Sequence, residues 1–117
     1  MAEMEILIVR ESIDATTLEA LARGWYDTMV KGVADLERGI IALGGDWHID
    51  ANNILILDGS EQKNLWGFNI QVEEKSEIEY VSLINIRPAQ NNRAMEIEDE
   101  GIRKAMFTLI KKLVPGV

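Results

Sequence analysis

The chain holds one histidine, and it sits between two carboxylates in Gly44-Gly45-Asp46-Trp47-His48-Ile49-Asp50. In an extended segment alternate side chains project to the same side, so Asp46, His48 and Asp50 would stand together. A carboxylate beside an imidazole orients it and raises its pKa, which is the arrangement of a general base. These three are the candidate catalytic residues. A single histidine with no cysteine is a poor zinc set, and oxygen ligands alone suit only a hard cation. No metal and no cofactor is therefore expected. The structural alternative has Asp50 capping a helix and His48 held by an ordinary hydrogen bond.

A second group lies further along the chain. Leu65 to Val72 and Ile78 to Arg87 both alternate, and an acidic connection joins them, so they are expected to pair as antiparallel strands. If Ile84 and Ile86 face the same layer as Phe68 and Ile70, then Asn69, Gln71, Asn85 and Arg87 share the opposite face. That face would make an anion pocket, because arginine offers a bidentate fork. It would equally serve as a dimer interface completed by a second copy. The segment Arg87-Pro88-Ala89-Gln90-Asn91-Asn92-Arg93 adds a second arginine in a loop. Together the two arginines would clamp a phosphate or carboxylate; alternatively, side-chain hydrogen bonds merely stiffen the loop. Asn69, Asn85, Arg87 and Arg93 are the candidate ligand-binding residues. Ser60 lacks a nucleophile-elbow context. No dinucleotide fingerprint, phosphate-binding loop or zinc-protease motif occurs.

These residues need elements to position them. A short apolar run over Met4–Arg10 reads as a buried strand. Asp14 can cap a helix whose stripe is Leu18, Leu21, Ala22, Trp25 and Met29. Residues 30–36 and 40–46 read as a hairpin around Glu37-Arg38-Gly39; the competing reading is a continued helix ending at Gly44-Gly45. Ala51 to Leu57 reads as a short helix stopped at Gly59, or else as a strand and turn. Pro88 ends the strand before it. The last helix, near Asp99–Val114, has the stripe Ile102, Ala105, Met106, Leu109, Ile110 and Leu113, with acids at its start and lysines at its end. The order β-α-β-β-α-β-β-α predicts a two-layer α+β fold. Its sheet is mostly antiparallel, with the helices on one face.

The 117 residues suit one domain spanning the chain. Acids outnumber bases 20 to 12, a net charge of −8 that repels phosphate backbones. Nucleic acid is not an expected partner. Trp25, Trp47 and Trp66 accordingly read as core or interface anchors. Cysteine is absent, which excludes disulfides and thiol chemistry. No apolar run reaches the roughly 20 residues of a membrane span, and the first residues lack a basic, apolar leader. The expectation is a soluble cytoplasmic protein with no membrane partner.

The motifs taken together resemble one family. They are Ala42 to Asp50, Gly59-Ser60-Glu61-Gln62 with Leu65 to Asn69, and Ser82 to Pro88 with Asn92-Arg93. The string is similar to a prokaryotic domain-of-unknown-function family of short stand-alone proteins, over nearly the whole chain. The resemblance transfers no activity and no catalytic residue. The reading that follows is an uncharacterised α+β domain that self-associates as a homo-oligomer, most simply a dimer. The alternative is a small enzyme or binding protein for an anionic metabolite.

Overall fold

Helix starts carry the firmest local signals, and they position the fold. The computed structural model describes residues 5–73 and 77–117. The Asp14 carboxylate accepts from the Thr17 amide at 2.8 Å and opens helix α1, Ala15–Trp25. Asp99 does the same for the Ile102 amide at 3.0 Å and opens the C-terminal helix, Glu100–Leu113. In chain order the elements are β1 (Leu7–Val9), α1, β2 (Met29–Asp35), β3 (Ile40–Leu43), α2 (His48–Leu57), β4 (Leu65–Gln71), β5 (Ile78–Glu79) and α3 (Glu100–Leu113). Short 3-10 turns cover Gln62–Asn64, Leu83–Asn85 and Pro88–Gln90. Met4, in the first expected strand, and residues 74–76 of the acidic connection lie outside the described residues.

The five strands form one antiparallel sheet in the order β1-β3-β2-β4-β5. The hairpin reading holds against a continued helix. Asp35 settles the turn, since its carboxylate accepts from the amides of Glu37 at 2.9 Å and Arg38 at 3.0 Å. The fold is α+β, as expected. Val30, Ala34, Ile41, Leu43, Trp66, Phe68 and Ile70 pack on one face against Leu18 and Ala22 of α1 and Met106, Ile110 and Leu113 of α3. Each Val, Leu, Ile, Phe or Met among them contributes about 1.5–3 kcal/mol by leaving water.

The expectation that helices share one face holds for α1 and α3 and is corrected for α2. Ala51 and Leu55 of α2 pack with Val33, Ala42 and Leu65, which point to the other side of the sheet. Three layers therefore replace two. The helix reading of Ala51 to Leu57 is right, and its stop is explicit. Gly59, at φ +110°, sends its amide to Ile56, and the Ser60 amide reaches Leu55 at 2.9 Å.

The strand expected over Ile78–Arg87 is corrected most. Only Ile78 and Glu79 pair with β4. The Ser82 hydroxyl then accepts from the Ile84 amide at 3.2 Å and starts a 3-10 turn. The turn lies so close to β4 that a Cβ on Gly67 would sit 2.5 Å from Ser82 Cβ. Among the described residues, no helix is long and apolar enough to cross a membrane.

Candidate functional site

Lys31 of β2 and Asn69 of β4 are direct cross-strand partners. Partners in register project to the same face, here the face that carries α2. The first turn of α2 brings His48 beside them, and the turn at residues 82–84 roofs the space. The result is a cavity of about 280 Å³ lined by Lys31, His48 and Asn69 and otherwise mostly by apolar side chains. Trp47, Ile49, Leu83 and Met95 stand at its mouth. Trp47 and Leu83 are each 65% exposed, high values for large apolar side chains.

Helix α2 begins earlier than Asp50, and this changes the histidine's company. Gly44 and Gly45 take φ +114° and +98°, which swings the chain off β3. Trp47 stays extended, and the Asp50 carboxylate accepts its amide at 3.2 Å. Asp46, His48 and Asp50 thus lie at a helix start and do not line up along an extended segment. Asp46 is exposed, and its backbone carbonyl accepts from the Tyr26 hydroxyl.

The imidazole partner is the Phe68 carbonyl, 2.9 Å from Nε2. A carbonyl only accepts, so Nε2 carries the proton and Nδ1 of the neutral ring is an acceptor. Burial pushes the His48 pKa down. The Phe68 bond and the Asn69 side chain beside the ring oppose that shift, and the Lys31 ammonium adds to it. His48 is thereby held neutral at pH 7.

Two further groups at the cavity are incomplete. Asn69 is 8% exposed, yet its Oδ1 is buried with no hydrogen-bond partner. Its Nδ2 makes only two long contacts of 3.5 Å, to Glu79 and the Val81 carbonyl. Lys31 lies 5.2 Å from the Tyr26 ring centroid. No carboxylate lies within 4 Å of its ammonium among the described residues.

Of the expected ligand-binding residues, the structure brings only Asn69 to this cavity. Asn85 and Arg87 do not share its face; they lie along the flank of β4. The Asn85 amide accepts from Gly67 N at 2.8 Å and donates to Gly67 O at 3.0 Å. Arg87 stacks 3.9 Å from the Trp66 ring centroid and donates to the carbonyls of Leu65 and Gln62. Arg93 is exposed, and its amide donates to Glu98 at 3.0 Å. Asp58-Gly59-Ser60 is structural in the same way. Asp58 pairs with Arg10 and Arg38 at 2.7 Å each, which lowers its pKa, and Arg38 also donates to Ser60.

Sequence reasoning missed Lys31 and Met95. The signal for Lys31 was present, a cation inside the otherwise apolar run Met29–Ala34. Among the described residues no group of three or more His, Asp or Glu side chains is placed to hold a metal ion.

Fold and site together define an α+β domain with one antiparallel sheet and an apolar, histidine-bearing cavity on its α2 face. The chain belongs to the family described as Protein of unknown function (DUF5674), whose sequence model matches residues 7–113. No curated protein and no solved structure matches the chain.

Proposed function

We propose that this domain binds a small, largely apolar organic molecule that offers a hydrogen-bond donor. One observation carries the reading: the Asn69 Oδ1 is buried and unpartnered at the wall of an apolar cavity. Buried polar atoms in native proteins are nearly always satisfied, and an orphan costs about 1–3 kcal/mol. A ligand N–H or O–H would remove that cost. The neutral His48 supplies a second acceptor at Nδ1, and it is the residue placed to move a proton if chemistry occurs. Neither Asp46 nor Asp50 is its hydrogen-bond partner, so any such role rests on the imidazole alone. The cavity is near the lower end of ligand sites, which run from about 300 to 1,000 Å³. The setting we assign is the cytoplasm, supported by the cysteine-free composition.

The test is Asn69→Leu. An apolar isostere removes the orphan, so the variant should be as stable as wild type or more so. It should also lose binding of small hydroxyl-bearing probes such as benzyl alcohol, followed by His48 ring chemical shifts and Trp47 fluorescence. Destabilisation by more than about 1 kcal/mol, with probe binding retained, would assign Asn69 a purely structural role.

Self-association is a second reading, favoured by the apolar mouth. Exposed apolar patches mark interaction sites more often than plain surface. Sedimentation of wild type against Trp47→Lys and Leu83→Glu separates the two. A dimer that both substitutions dissociate supports it. A wild type that stays monomeric at high micromolar concentration removes it.

A further inference from the structure

We infer that the polar end of the ligand is a single carboxylate bearing a neighbouring hydroxyl, seated between Lys31 and Asn69. This rests on the reading that the cavity is a ligand site, and it specifies that ligand's chemistry. Lys31 and Asn69 are register partners on adjacent strands, so an ammonium-bearing and an amide-bearing side chain both line one wall. Lys31 is partly buried, and its ammonium, 5.2 Å from the Tyr26 ring centroid, has no carboxylate within 4 Å among the described residues. That is unusual in a chain where acids outnumber bases 20 to 12. The amide oxygen lacks a donor. A ligand that completes both must present negative charge to one and an O–H or N–H to the other, a short distance apart.

Charge count selects the class. One ammonium balances one negative charge, the Glu79 carboxylate held by Gln71 near Asn69 Nδ2 disfavours any further one, and Arg87 is committed to Trp66 and the carbonyls of Leu65 and Gln62. A phosphate dianion would keep an uncompensated charge in a half-enclosed apolar site, inside a protein of net charge −8. A ligand ammonium as the donor would be repelled by Lys31. A hydroxyl therefore fits best. The cavity of about 280 Å³ admits only a small ligand. Short 2-hydroxy acids with a branched or aromatic apolar end satisfy every term. The apolar end would lie toward Ile49, Leu83 and Met95.

The experiment titrates the full chain with 2-hydroxy-4-methylpentanoate and 3-phenyl-lactate, each beside its uncharged primary amide and its deoxy analogue. Isothermal titration and His48 ring shifts give the readout. The expected result is at least tenfold preference for each acid over its amide. That preference should shrink at high salt, and a smaller loss should accompany removal of the hydroxyl. In Lys31→Met the preference should fall below twofold. Lys31→Gln repeats the test should the methionine variant fold poorly. Acid and amide binding equally in wild type overturns the head-group inference and leaves the cavity reading standing. Discrimination that survives in both lysine variants overturns it as well. No binding by any of the compounds at millimolar concentration overturns both readings.

Discussion

His48 and Asn85 show how far a polar residue's role depends on its partner. His48 sits half-enclosed beside a lysine, so its charged form is disfavoured even though it donates to a main-chain carbonyl. The consequence is a pH dependence of stability. Below the ordinary imidazole value of 6.5 the unfolded chain takes up a proton before the folded one does. Stability therefore falls as pH drops from about 6.5 toward the lower folded value, and it levels off beneath that. Urea midpoints across this window should slope for wild type and lie flatter for His48→Gln. Asn85 is buried and makes both hydrogen bonds of Gly67. Asn85→Ala should cost about 2–4 kcal/mol in urea denaturation, because it strands two backbone groups at about 1–3 kcal/mol each. The sequence did announce that Asn69 and Asn85 are not ordinary surface residues. It held no sign of which one would be satisfied, because that depends on contacts across the fold.

At the scale of elements, legibility follows the range of the interactions involved. Asp14 and Asp99 cap their helices through amides three residues away, and both helices were readable. The Asp35 turn is equally local, and the hairpin was readable with it. Helix α2 was ambiguous because its apolar residues do not confine themselves to one stripe. Leu55 is buried, whereas Leu57 is 85% exposed. Residues 80–87 misled for a different reason. Their alternation matches a strand, but Ser82 turns the chain and a side-chain amide takes over the pairing with β4. Gly67 is what permits that approach. Gly67→Ala should push the 82–85 turn away, at about 1–3 kcal/mol of overpacking cost. Hydrogen exchange should report it as lost protection at Ile84 and Asn85, with β2 and β3 unaffected. Because the turn roofs the cavity, the same substitution should weaken probe binding.

For the molecule as a whole, the acidic balance conceals a local exception. The chain carries −8, yet among the described residues the cavity is lined by a lysine and by no acidic residue. The sequence did suggest an acidic protein with a local cationic site, but it put the arginines there. Arginine was recruited instead as structural mortar on Trp66, a role that becomes visible only once β4 and the 87–92 loop are seen together. The same mortar bears on how this protein avoids its own kind. Before Asn69, from Leu65 to Phe68, β4 pairs with no strand on its outer side among the described residues, and bare backbone there would be a template for a neighbouring chain. Asn85 and Arg87 occupy the groups of Gly67 and Leu65 with side chains, which offer no continuing ladder for another strand to extend. The Asn85→Ala variant should therefore aggregate on heating more readily than its loss of stability alone accounts for, with light scattering rising ahead of the loss of helix signal. Two side chains thus blunt this stretch of the β4 edge.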